Sequence, residues 1–173
     1  MNQIIEAMVQ RRSCRSYEAR QLDEDVLQEI LLAGTYAASG MGRQAAKIVV
    51  VQDPDTIAQL RRMNAAIMGN PDTDPFYGAP TVCIVLADTR VRTWQEDGSL
   101  VIGNLMLAAS TLGIGSCWIH RAREEFDSPE GAELLAKWGI PDYYRGVGHC
   151  ILGYPAQPTG TARERKADFI VRI

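Results

Sequence analysis

Arg11-Arg12-Ser13-Cys14-Arg15-Ser16-Tyr17 places three guanidinium groups within five residues and interleaves them with hydroxyls. Planar guanidinium forks bind an oxyanion bidentately, and Ser13 and Ser16 can add hydrogen bonds. At about 1.5–3 kcal/mol for each charge-assisted bond, two or three forks hold one phosphate firmly. The residues alone also suit a solvated basic turn, which is the commoner use of a short basic run. Arg163-Glu164-Arg165-Lys166, near the end of the chain, reads by itself as a solvated charged turn.

Other reactive side chains point to no chemistry of their own. Cys14, Cys83, Cys117 and Cys150 form no C-x-x-C pair and have no helical spacing to a histidine, so they read as buried small residues rather than a zinc site or a redox dithiol. Imidazole is the side chain suited to proton transfer near neutral pH, which makes His120 an obvious general-acid candidate. His149, inside an apolar run, reads as a structural histidine. Glu124, Glu125 and Asp127 read as a solvated acidic face, and Trp118 taken alone reads as core. There is no Ser-His-Asp layout, no G-x-S-x-G and no Walker A motif, and Gly113 and Gly115 do not complete a dinucleotide fingerprint.

The elements that must position these groups follow from periodicity. Ile4, Ile5 and Met8 share one face of a short helix ending near Arg11. A second helix starts from Leu22 with Asp23 as its cap and fades after Gly34. The small-residue stretch from Ala37 to Ala46 is a loop that lets a ligand approach the backbone. Strands are expected at 47–51, 81–86, 113–120 and 147–154, with helices opened by Asp53-Pro54, spanning 97–112, and opened by Asp127 or Ser128 before Pro129. The segment from 70 to 78 reads as a surface loop. Phe169-Ile170-Val171-Arg172-Ile173 reads as a fifth short strand that needs a sheet edge, for which a partner subunit is a candidate, so a dimer is expected.

The chain of 173 residues is expected to form one domain over 1–173. A hydrophobic share of 46% and a charged share of 23% are those of a globular protein. A net charge of −3 argues against nucleic acid as the main partner, because backbone phosphate binding needs a broad excess of Lys and Arg. The N-terminus lacks a signal-peptide layout and no apolar run reaches membrane-spanning length, so a cytoplasmic location is expected.

R-R-S-x-R-x-Y after a short N-terminal helix resembles the opening signature of the nitroreductase family of FMN-dependent oxidoreductases. Leu112-Gly113-Ile114-Gly115-Ser116-Cys117-Trp118-Ile119 is similar to that family's L-G-L-G-S-C-W-I. Gly153-Tyr154-Pro155 followed by the basic tail resembles its closing phosphate contacts. The family's loop usually reads P-S-x-x-N-x-Q-P-W; here Ala38 replaces the first proline, Gly42 the asparagine, and Ala45 and Ala46 the last two residues.

The resemblance implies an α+β fold: a mainly antiparallel five-stranded sheet flanked by helices on both faces, with the C-terminal strand exchanged in a homodimer. It implies that Arg11, Arg12, Ser13 and Arg15 hold the FMN phosphate, ribityl chain and pyrimidine edge, and that Arg163 and Arg165 return to the phosphate. Ser39, Gly42 and Gln44 would border the isoalloxazine ring. Trp118, Ile119 and His120 would pack one flavin face, with the backbone N–H of His120 near flavin N5 in place of a side-chain acid. The implied activity has two half-reactions: NAD(P)H reduces FMN, and a small electron-poor acceptor, a nitroaromatic or quinone, then reoxidises it. The alternatives are a flavin-binding sensor or store that does not turn over, or a dedicated flavin dehydrogenase or dehalogenase of the same fold.

Overall fold

Thr81–Asp88 (β2) is buried at every position, and this explains the rest of the architecture. A strand covered on both faces reads as a continuous apolar run, and its side chains alternate between two cores. In the computed structural model, which describes residues 1–173, β2 lies between Ala46–Val51 (β1) and Tyr144–Gly153 (β4), and Gly115–Ile119 (β3) pairs with the far side of β4. All three pairings are antiparallel, in the order β1-β2-β4-β3. A register shift between Val85 and Leu86 marks a bulge in the central pair.

Val82, Ile84 and Leu86 face a core completed by Leu60, Phe76, Phe126 and Leu134. That face is covered by Pro54–Ile67 (α3), Ala122–Phe126 (α5) and Pro129–Lys137 (α6). Cys83 and Val85 face the opposite core, with Leu27, Ile30, Ile102 and Leu105 from Glu24–Thr35 (α2) and Trp94–Thr111 (α4). The helix starts follow the expected capping chemistry at two places. Asp53 accepts from Thr56 N at 2.8 Å ahead of Pro54, and Ser128 accepts from Gly131 N at 3.1 Å ahead of Pro129. Asp23 precedes α2 without capping it; its carboxylate accepts from the Tyr154 hydroxyl at 2.8 Å instead.

Several expectations are corrected. The sheet has four strands: residues 169–173 form no strand and lie exposed, paired with neither edge of the sheet. The helix expected from Asp97 begins one turn earlier, at Trp94, and Leu100 and Leu112, counted in its apolar repeat, are exposed. β4 starts at Tyr144, and the short α5 had no periodic signal at five residues. Phe76, within the 70–78 surface segment, is fully buried against His149 with ring centroids 5.3 Å apart. Gln3–Gln10 (α1) buries no residue at all, and Ile4, Ile5, Met8 and Val9 on it are exposed. No helix is long and apolar enough to cross a membrane.

Candidate functional site

The segment after α1 is held as a wedge between β3 and the end of β4. Cys14 N donates to Ser116 O at 2.9 Å, Glu18 N to Tyr154 O at 2.9 Å, and Ala156 N to Ser16 O at 3.0 Å. Ser13 and Ser116 form a parallel bridge, and Tyr17 and Pro155 an antiparallel one. Space for the wedge comes from two glycines that face each other in the β3–β4 register, Gly115 and Gly153. A Cβ on Gly115 would stand 2.8 Å from Cys14 Sγ, and one on Gly153 2.9 Å from the Tyr17 ring. Tyr17 donates to Cys14 O at 2.8 Å, and burial pushes its phenol well above its ordinary pKa, so it stays a neutral donor. The glycine-led strand and the G-Y-P exit thus hold the arginine segment in place.

What the wedge presents is charge without a counter-charge. Arg11, Arg12, Ser13 and Arg15 line a cavity of about 320 Å³ together with Gly160, Thr161, Ala162, Arg163 and Arg165. The two basic runs, roughly 150 residues apart in sequence, therefore meet. Arg12 Nη1 donates to Val9 O at 2.7 Å and Arg11 O at 2.6 Å, which satisfies the C-terminal end of α1, while its Nε is buried without an acceptor. Arg11 Nη1 is likewise buried and unpaired. None of these arginines takes part in a salt bridge; the chain's ion pairs use Arg20, Arg61, Arg62, Arg90 and Arg145. Clustered cations with orphaned buried donors fit a dianionic phosphate, which supplies both the missing charge and the missing acceptors.

The loop residues lie elsewhere in the same chain. Ser39 and Gln44 border a second cavity of about 360 Å³ with Leu31, Ile48, Val50 and Asp97, and none of the clamp arginines reaches it. Ser39 Oγ accepts from Gln44 N at 3.1 Å, and Met41, Gly42 and Gln44 all take positive φ, so the loop is a tight series of left-handed turns. It is tethered by Asp97, buried in α4, whose Oδ1 accepts from Gly40 N at 2.9 Å; Oδ2 is buried without a partner. Gly42 stands with no atom near the position a Cβ would take.

Trp118 and His120 share a third cavity, about 290 Å³, with Gln95, Ser99, Arg123 and Val147, while Ile119 between them turns into the core. Behind His120 lies a buried polar cluster. Asn64 Nδ2 donates to His120 O at 2.8 Å and also to Glu125 Oε1, in a short contact. Arg121 Nε donates to Asn64 Oδ1 at 2.9 Å, and His149 Nε2 lies 3.0 Å from Glu125 Oε1. Glu125 Oε2 and His149 Nδ1 have no partners. Glu125 is thus fully buried, which corrects the solvated acidic face expected for residues 124–127; Glu124 and Asp127 remain exposed. Two of the cysteines offer no thiolate: burial pushes Cys83 up to about 12 and raises Cys150 well above its ordinary value.

Sequence reasoning missed Asn64, Arg121 and Asp97. Two had a signal. Asn64 falls on the apolar stripe of α3 with Ile57, Leu60 and Ile67, and Asp97 falls one turn before Val101 in α4. A polar residue at a core position of a helix needs a buried partner. Arg121 had none, because its role rests on a left-handed backbone that arginine does not advertise.

The Nitroreductase family profile matches residues 8–154. A crystal structure of a nitroreductase with bound FMN from Bacteroides fragilis is 31% identical, superposes with a TM-score of 0.90 and covers 100% of both chains. A relative from Methanothermobacter thermautotrophicus, provisionally named an NADH dehydrogenase/NAD(P)H nitroreductase, is 29% identical over 91% of this chain and 80% of its own. An FMN reductase [NAD(P)H] from Bacillus subtilis is 24% identical over 90% of this chain and 67% of its own. With a match running from α1 to the end of β4, through both glycine-led contacts of the wedge, the chain belongs to the nitroreductase family.

Proposed function

We propose that the protein is an FMN-dependent oxidoreductase that takes electrons from NAD(P)H and passes them to a small electron-poor acceptor, a nitroaromatic or quinone. The observation that carries this reading is the cavity of Arg11, Arg12, Arg15, Arg163 and Arg165, which has no carboxylate of its own to neutralise it. The FMN in the Bacteroides relative and the activity in the Bacillus relative's name point to the same cofactor and donor.

In this reading Arg11, Arg12, Arg15 and the tail arginines bind the phosphate, and Ser13 adds a hydroxyl donor. Trp118 supplies an apolar wall at one ring face, and the main-chain amides of His120 and Arg121, which donate to no acceptor within the chain, face the ring's polar edge. When bound, FMN supplies the redox chemistry, exchanging electrons first with the nicotinamide and then with the acceptor. The chain's groups bind, orient and exclude water. Ser39 and Gln44 line a different cavity from the clamp, and Gly42 lies on the same loop, so in this reading the loop meets the cofactor of a partner subunit.

Three surfaces that the chain leaves uncovered support a homodimer: the apolar face of α1, the exposed Phe169, Ile170 and Val171, and the edge strand β1 with its neighbouring apolar cavity. Removing residues 169–173 should weaken the dimer at least tenfold, read by sedimentation against concentration; unchanged dimerisation would exclude the tail. Four free, buried cysteines suit a reducing cytoplasm.

The function is tested by the visible spectrum of the purified protein, the mass of its released chromophore, and NADH and NADPH oxidation with a quinone. FMN at about one per chain with steady turnover is the expected result. A reducible flavin without turnover would favour a flavin store, and a protein that neither contains nor binds FMN would end the reading.

A further inference from the structure

The cluster behind His120 does more than fill a core. A trans peptide is planar, so its C=O and N–H point in opposite directions. Asn64 Nδ2 holds the His120 carbonyl on the buried side at 2.8 Å, which commits the Arg121 N–H, in the same peptide unit, to the opposite side. Arg121 sits at φ 79° and ψ 7°, a left-handed conformation that costs a residue with a Cβ about 1–2 kcal/mol. Such strain persists where the surroundings over-determine it. Here Asn64 does so from both ends, since its Oδ1 accepts from Arg121 Nε at 2.9 Å while its Nδ2 holds the preceding carbonyl.

Asn64 is itself fixed. It is fully buried, and its second Nδ2 hydrogen goes to Glu125 Oε1, which also meets His149 Nε2 at 3.0 Å. His149 is clamped in turn between the rings of Phe76 and Phe126, with centroids at 5.3 and 6.4 Å. A buried carboxylate is costly unless hydrogen-bonded, so a chain that needs only packing here would use an apolar side chain. The result is a rigid support whose output is one peptide, which presents the Arg121 N–H; that group and the His120 N–H of the preceding peptide have no acceptor in the chain.

We infer that Asn64, held by Glu125 and His149, is a positioning residue that aims the His120–Arg121 peptide at the polar edge of the flavin. This rests on the FMN reading above. Preorganised donors favour the redox state that carries more negative charge, so the support acts on the relative affinity for the two states of the cofactor and not only on stability.

The test compares the wild type with Asn64→Ala and with the double variant Asn64→Asp/Glu125→Gln, each reconstituted with FMN. The double variant reverses the amide–carboxylate bond and keeps the acceptor for Arg121; it sets an oxygen in place of the donor to His120 O, and the new amide at 125 meets His149 Nε2, which must then accept in its Nδ1–H form. The expected result for Asn64→Ala is a lowered melting temperature and a loss of about tenfold in the preference for reduced over oxidised FMN, which for a two-electron couple is a fall of about 30 mV in midpoint potential. In the double variant most of the thermal stability returns while the potential stays low. A wild-type potential in either FMN-loaded variant would overturn the inference and leave the cluster a purely structural one.

A third measurement, on the unaltered protein, covers the case in which the variants do not fold. Adding FMN to labelled apoprotein should move the His120 and Arg121 amide proton resonances downfield. FMN bound with both resonances unmoved would overturn the inference alone, whereas a wild type that does not bind FMN would overturn the functional reading and the inference with it.

Discussion

The arginine cavity and the Asn64 cluster both attach to β3, one at Ser116 near its start and the other at His120 just past its end, yet they handle charge in opposite ways. The first gathers cations and leaves them without partners. The second buries Glu125 and turns groups from α3 and β4 onto its Oε1, while Oε2 stays without a partner. Charge left unpaired at a surface is completed by something the chain binds, whereas charge paired inside is completed by the chain and serves to hold geometry. Arg90 shows what an arginine does when a carboxylate is available: its Nε and Nη2 grip both oxygens of Asp88 at 2.9 and 2.7 Å.

The widest test of this contrast is the pair Arg11→Ala and Arg15→Ala combined. Losing two charge-assisted bonds at about 1.5–3 kcal/mol each should weaken FMN binding on the order of 10²- to 10⁴-fold, read by fluorescence titration. The apoprotein should melt no lower than the wild type, because like-charge repulsion is relieved. Inorganic phosphate should raise the melting temperature of the wild-type apoprotein and not that of the variant, by ordinary mass action. A variant that keeps full FMN affinity would remove the arginines from the site.

Smaller effects sharpen the same picture. Gly115→Ala should cost about 1–3 kcal/mol through overpacking, since its Cβ meets Cys14 Sγ at 2.8 Å, and it should lower FMN affinity by shifting the wedge. Gly103→Ala is the control: it lies in α4 with nothing near its Cβ, and replacement there should stabilise by about 0.4–1 kcal/mol. Urea melts of the two variants, moving in opposite directions, check the pair.

The weakest effect belongs to the arginine that already has its carboxylate. Hydrogen bonds from Arg90 hold the Asp88 carboxyl below its usual range. A depressed folded-state pKa means that the contribution is complete above the ordinary carboxylate value and fades as pH falls through the folded one. Asp88→Asn should therefore flatten the loss of stability below about pH 4, with little change in that slope near neutrality. An unchanged acid limb in melting temperature against pH would place the protonation elsewhere.

Much of this was legible in the residues, for identifiable reasons. β2 announced itself because a strand covered on both faces has no polar positions to confuse the pattern. Arg11, Arg12, Arg15, Arg163 and Arg165 stand out in the sequence because charge clusters are local even when the cavity they line is not. Glu125 was misread because a carboxylate in a five-residue helix looks the same whether it faces water or a buried asparagine. The tail was read as a strand from its apolar composition, but a strand is a property of a pair, and its own chain offers it no neighbour. Gly42 takes a left-handed turn with open space where a Cβ would stand, a backbone feature that no periodicity in the sequence signals.

The bridges Ser13–Ser116 and Tyr17–Pro155 also fix an order of events during synthesis. Tyr17 leaves the ribosome early, but its docking partner at Pro155 is made roughly 140 residues later, on the order of 7–30 s at ordinary elongation rates. The Tyr17 contact therefore cannot form until β4 and Pro155 have been made. The cavity walls at 11–15 and 160–165 can meet only after that, so a growing chain that stops short of them has arginines but no place for a phosphate.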